Sequence, residues 1–209
     1  MRVLILGAGG HGLVVADILL RMAEAGAALV VGGYLDDNPQ LADQRFLGLP
    51  VLGRVADLIS LPHDALVIAI GDNHTRQQLA GQLANQGERF VTACHPRAVI
   101  APDVAIDPGA MICAGVVVNP GSAIGGHAIL NTGCTVDHHN RIGDYVHLAP
   151  GVHLGGNVEI GTGALVGIGA TVMPQRSVGN WAVIGAGSLV TKNIPPCVTV
   201  AGVPARARN

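Results

Sequence analysis

The chain has 209 residues, enough for one or two domains, and its 12 Lys and Arg against 14 Asp and Glu give a formal charge of −2. Only 12% of residues are charged and no basic run occurs, which excludes the electrostatic surface a nucleic acid requires. Hydrophobic residues reach 49% but aromatic ones only 2%, so the core must be built from small aliphatic side chains, and no apolar run attains the roughly 18 residues of a membrane span.

Residues 1–94 alternate strand-like and helix-like segments. The opening MRVLILGAGGHG runs into a glycine turn and lacks a small-residue cleavage site, which predicts a cytosolic protein. VLILG reads as a strand and LVVADILLRMAEAG as a helix; ALVVGGYLDD, ALVIAIGDN and RFVTA read as further strands. NHTRQQLAGQLANQG reads as a second helix, with Asn73 as its N-cap and Gly87 just past its end. This alternation predicts an α/β domain with a parallel sheet of Rossmann-like βαβ units over residues 1–94.

The loop Gly7-Ala8-Gly9-Gly10-His11-Gly12 fits G-x-G-x-x-G between a strand and a helix, and Asp36 and Asp37 follow at the distance of a ribose-binding acid. Alone, the motif suggests a dinucleotide. The physics is that of any phosphate held by backbone N–H groups at a helix N-terminus. Asp36 and Asp37 either hold a nucleoside or form a turn with Asn38-Pro39. Asn73 and His74 follow another strand end, where they either face the ligand or cap the helix.

From Ile100 an aliphatic residue recurs every six positions: Ile100, Ile106, Ile112, Val118, Ile124, Leu130, Val136 and Ile142, then onward to Val190, sixteen in step. Four residues after each anchor the side chain is small or β-branched, except at Asn140 and Arg176. A period of six is that of a parallel β-helix: three faces complete a coil, residues eighteen apart stack, and the anchors fill a narrow prism. Residues 95–209 therefore form an all-β domain. Cys94, Cys113, Cys134 and Cys197 show no C-x-x-C pairing and read as buried, reduced thiols. His138 falls at a turn, as do His127 and His153, whereas His147 is one residue past an inward position.

GAGGHG, the LDD after the second strand, VDHHNRIGDYVHLAPGVHLGGNVEIG in mid-chain and the closing AGVPAR together resemble the bacterial nucleotide-sugar acetyltransferases, which pair an α/β domain with a left-handed parallel β-helix. The likeness runs over nearly the whole chain. It implies a homotrimer, acetyl-CoA lying between neighbouring helices, and a nucleotide-sugar on the N-terminal domain at Gly9, Gly10, His11, Asp36, Asp37 and Asn73. It further implies His138 as general base, His147 against the bound thioester, and Gly156, Ile168, Ala186 and Lys192 along the cofactor. No metal is implied. The family carries Asp or Glu after the catalytic histidine, where this chain has His139, so the catalytic pair reads His138–His139. Asp137 or Asp144 would have to orient the base instead.

Acetyl transfer to a sugar amine needs an unprotonated nucleophile, a base working near neutral pH and donors for the oxyanion; histidine and the Gly155-Gly156 turn suit these needs. Cys134, the one nucleophile near the pair, is placed inside the prism by the period, which favours direct transfer without an acyl-enzyme. Lys192 and Arg206 can pair with CoA phosphates. Three other readings stay open: O-acetylation of a sugar hydroxyl, a zinc enzyme of the γ-carbonic anhydrase type using His138, His139, His147 and His153, and a non-catalytic nucleotide-sugar sensor.

Overall fold

The computed structural model describes residues 1–207, in two compact units, Met1–Pro96 and a second that begins at Arg97. The first unit runs β1 (Arg2–Leu6), α1 (Gly10–Glu24), β2 (Val30–Leu35), β3 (Arg45–Phe46), β4 (Leu49–Gly53), β5 (Ala65–Ile68) and α2 (Asn73–Asn85). The sheet order is β3-β4-β2-β1-β5; β1 pairs in parallel with both β2 and β5, and β3 with β4 forms an antiparallel hairpin. Val3–Leu6 and Leu66–Ile68 are wholly buried, as expected for central parallel strands. Helix α1 contributes Val15, Ala16, Ile18 and Leu19 to this core. The chain leaves β1 to one side for β2 and later returns to the other side as β5, which opens a crevice at the carboxyl ends of the strands.

Two local expectations are corrected. The N-cap of α2 is Asp72, whose carboxylate accepts the Thr75 N–H at 2.8 Å and its hydroxyl at 2.7 Å; Asn73 is the first helical residue and is buried. RFVTA is not a continuous strand. Leu66 donates to Arg89 and accepts from Val91, so pairing stops after one Leu66–Phe90 bridge, and a two-residue strand follows only at Ala93–Cys94.

The second unit is the left-handed parallel β-helix that the resemblance implies. Two-residue strands recur at the six-residue period and pair in parallel with those eighteen residues away, as in Val118 with Val136, then Leu154, Val172 and Val190. Fourteen anchors, Ile112 through Val190, are buried, while Ile100 and Ile106 on the first coil are half-buried. From Gly109 to Gly187 the third residue after each anchor adopts a left-handed φ. Glycine fills many of these sites, yet His127, His139, Tyr145, Asn157, Gln175 and Trp181 also take the conformation, at φ between 55° and 60°. Ring size explains one such column: the His127 and Tyr145 rings stack at 5.4 Å, and a Cβ on Gly109 would lie 2.5 Å from the His127 ring.

His153 is not at a turn. It is the outward residue of a strand, its Nδ1 2.8 Å from the Thr135 hydroxyl on the adjacent coil. The cysteines are not uniform either: Cys113 and Cys134 are buried, which pushes their thiols up to about 11 and about 12, but Cys94 is half-buried and Cys197 exposed. Among the described residues no helix is long and apolar enough to cross a membrane.

A Cβ on Gly12 would collide with the Gly7 carbonyl, because α1 starts hard against the loop that follows β1. Gly12→Ala is therefore expected to destabilise the protein by about 1–3 kcal/mol through overpacking. Urea unfolding checks this; an unchanged midpoint would contradict the packing described.

Candidate active site

In the β-helix, the turn Asp137-His138-His139-Asn140 follows the buried anchor Val136. Asn140 occupies an inward position normally held by a small apolar residue and is fully buried. Its amide is satisfied throughout: Nδ2 donates to the Asp137 carbonyl at 2.6 Å and the Gly155 carbonyl at 3.1 Å, and Oδ1 accepts the Val158 N–H at 2.7 Å. The Asn140 N–H donates to the Ser122 hydroxyl at 3.1 Å, which in turn donates to the Asp137 carbonyl at 2.9 Å. A buried polar group so paired stabilises one local geometry, here the turn carrying both histidines.

Asp137 Oδ1 accepts the His138 N–H at 2.8 Å and the Asn119 amide at 2.9 Å; these bonds, Asn119 foremost, hold its carboxyl below the usual range. Asp144 Oδ1 accepts the Gly126 N–H at 2.8 Å. The His138 ring meets His139 instead, Nδ1 to Nδ1 at 3.0 Å, with the rings crossed at 82°. The opposite edge of His138 lies over Gly156 one coil on, where a Cβ would sit 2.5 Å from Cε1 and 2.6 Å from Nε2. Both histidines are exposed. The Gly155 N–H is taken by the Val172 carbonyl at 3.0 Å, so of the two glycines only Gly156 is left to offer an oxyanion donor.

The remaining cofactor candidates divide between two edges of the prism. Pro120, His138, Gly156, Pro174 and Lys192 form one column of turn residues at eighteen-residue spacing; Thr132, Pro150, Ile168 and Ala186 form another, after a different face. His147 belongs with the second, as the outward residue of the strand before it, half-buried with Nε2 3.3 Å from the Asn131 amide. Ile168 is 62% exposed, a large apolar side chain with no cover in the chain itself. Lys192 and Arg206 are exposed. Among the described residues no three His, Cys, Asp or Glu gather so as to hold a metal ion.

In the α/β unit a cavity of about 330 Å³ opens at the switch point, bordered by Gly7, Asp36, Asp37, Ile70, Gln78 and Gln82. Gly9 caps α1 and Gly10 begins it; a Cβ on either would meet open space, so these glycines leave room rather than relieve a clash. Both Asp36 oxygens are committed to loop backbone, to Ala8 N–H at 2.7 Å and Asn38 N–H at 2.9 Å. Asp37 uses one oxygen on Val55 N–H at 3.0 Å and is the more available acid. The Asn73 Oδ1 accepts from Arg76, whose guanidinium is wholly buried and also donates to the Ile70 carbonyl at 2.8 Å. The sequence reading missed Arg76, Gln78 and Gln82. The i, i+4 spacing of the two glutamines marks one face of α2 and was the available signal. Burial, then the charge of Arg76, lowers His11 to about 4.

A family model described as the PglD N-terminal domain matches residues 2–83. Perosamine N-acetyltransferase from Caulobacter crescentus, solved with CoA and GDP-perosamine as a histidine-to-asparagine mutant, is 36% identical with a TM-score of 0.93, covering 100% of this chain and 97% of that one. The acetyltransferase domain of PglB from Neisseria gonorrhoeae, solved with acetyl coenzyme A, is 34% identical with a TM-score of 0.92 over 99% and 98% of the two chains. UDP-N-acetylbacillosamine N-acetyltransferase of Bacillus subtilis is 40% identical over 109 residues, 50% of this chain, and the match spans about half (48%) of that protein's length.

His11 is neutral in the fold down to about pH 4 but gains its proton near 6.5 when unfolded, so the unfolded state binds more protons between those values. Stability is complete above pH 6.5 and falls as pH drops toward 4, by on the order of 2–3 kcal/mol. Urea unfolding of parent and His11→Asn across this range tests it: the parent loses stability on acidification and the variant loses less. Equal slopes would contradict the assignment.

Proposed function

The chain belongs to the bacterial nucleotide-sugar acetyltransferases, and on that footing we propose that it moves the acetyl group of acetyl-CoA to the amine of a nucleotide-linked amino sugar, with His138 as general base. The observation carrying this reading is the His138 ring itself: Nδ1 is tied to its neighbour, while Nε2 faces the bare surface of Gly156. A glycine there lets the imidazole pack directly on the backbone of the next coil, which brings the basic nitrogen beside the Gly156 main chain. The Caulobacter relative binds CoA and a GDP-linked sugar, and the gonococcal relative binds acetyl coenzyme A, which supports both substrates.

The amine lone pair attacks the thioester carbonyl carbon, and the C–N bond forms as the carbonyl oxygen takes negative charge. The Gly156 N–H is the candidate donor to that oxyanion. Nε2 of His138 removes the amine proton, the C–S bond breaks, and the proton passes to the departing CoA thiolate. Cys134, fully buried with its thiol pushed up to about 12, is unsuited to form an acyl-enzyme, which supports direct transfer.

His147, Ile168, Ala186 and Lys192 are the proposed cofactor contacts. The His138 column and the Ile168–Ala186 column stand on different edges of one prism, which supports a homotrimer in which the acetyl-CoA cleft is completed by the neighbouring protomer. For the nucleotide-sugar we propose the cavity after β1, β2 and β5. Gly9, Gly10 and the α1 N-terminus would receive phosphate, Asp37 the nucleoside, and His11, Asp36 and Asn73 would shape the loops around them.

His138→Ala is expected to lower turnover about 10²–10⁴-fold, the usual worth of a general base. Gly156→Ala, whose methyl would strike Nε2, should lower it as well with little effect on folding. Thiol release from acetyl-CoA against a panel of 4-amino and 4-hydroxy nucleotide-sugars is the measurement. Amine-dependent release lost in both variants supports the reading; an active His138→Ala enzyme overturns it.

A further inference from the structure

We infer that His139 is the positioning residue of the base, doing with a neutral imidazole what a carboxylate does in the resembling family; this rests on the reading of His138 as proton acceptor. Two ring nitrogens 3.0 Å apart form a hydrogen bond only if one carries a hydrogen and the other a lone pair. To act as base His138 must keep Nε2 bare, and a neutral imidazole has a single N–H, which therefore sits on Nδ1. That N–H donates to Nδ1 of His139, leaving the hydrogen of His139 on its own Nε2.

The fold holds His139 in the receiving position. Its left-handed φ of 57° swings the side chain back over the turn, and its ring packs on Gly121 of the preceding coil, where a Cβ would lie 2.8 Å from Cδ2. Asn140 and Ser122 fix the backbone beneath. The acids nearby are engaged elsewhere: Asp137 takes the His138 N–H and the Asn119 amide, and Asp103 takes the Gly121 N–H at 2.8 Å. Arg141 reaches the Gly121 carbonyl at 3.4 Å.

The replacement has a chemical consequence. When the amine proton arrives on Nε2, His138 becomes an imidazolium whose Nδ1–H still rests on a neutral acceptor. A carboxylate there would add a full opposite charge and hold the proton more tightly. The His–His pair therefore returns its proton to the thiolate more readily.

The test compares pH profiles of kcat/KM for the parent, His139→Gly, His139→Asp and His138→Ala with one amino-sugar substrate, so that the amine's own ionisation is common to all. Glycine and aspartate both tolerate the left-handed backbone, and circular dichroism verifies folding. His139→Gly should lower kcat about ten- to a hundredfold, part of the general-base total, with KM for acetyl-CoA unchanged. His139→Asp should recover to within a few-fold of the parent and move the acid limb to higher pH by about one unit. Unchanged kcat in His139→Gly, or an acid limb unmoved in His139→Asp, overturns the inference while leaving the base in place. An active His138→Ala enzyme overturns the base itself.

Discussion

A six-residue repeat wound into three sides leaves an interior that accepts Val, Ile, Leu, Ala, Cys and Ser and little that is larger. That width sets everything else in the second unit. The anchors from Ile112 to Val190 fill it, and residues with rings or charges, Arg176 excepted, are displaced to the turns and the outward strand positions. The repeating strands from Val99–Ile100 to Leu189–Val190 are two residues long and too short to hold themselves, so pairing with the coil eighteen residues away fixes their register. Chemistry in such a scaffold has to be done at the edges of the prism. The same close stacking that excludes rings from the interior places Gly156 against one face of His138 and Gly121 against His139.

Asn140 is the informative exception. A buried amide in an aliphatic prism is costly unless every donor and acceptor is paired, and here they are paired with the backbone of the His138 turn and of the coil beyond. It converts a tolerant turn into a fixed one. The α/β unit uses comparable means: Asp36 ties the loop after β2 to the loop after β1, and buried Arg76 ties the start of α2 to the loop after β5. In both units polar side chains committed to backbone define the edges at which ligands are proposed to bind.

Much of this is legible in the sequence, because the period is long and unbroken. The anchors, the inward Cys134 and the placement of Gly156 one coil from His138 all follow from counting in sixes and eighteens. The position of His153 followed from the same count, since it precedes anchor Leu154, but read locally among glycines it passes for a turn. The choice of Asp72 over Asn73 as cap was not legible, as both residue types cap well and only the backbone decides. Arg76 was hidden because a charged residue in a polar helix reads as solvated. The contact between His138 and His139 lay furthest out of reach. It depends on a left-handed φ at a non-glycine residue, which sequence statistics disfavour, and on the direction of two side chains.

The central claim is that His138 of one protomer serves acetyl-CoA held in part by the other prism edge of a neighbour. Mixed assemblies test it most directly. His138→Ala and Ile168→Glu should each abolish thiol release alone, the first by removing the base and the second by charging the cofactor edge. After subunit exchange in equal amounts, one interface of each mixed trimer joins two intact edges, and about a quarter of the parental rate should return. Exchanged mixtures that remain as inactive as either variant alone would contradict the account.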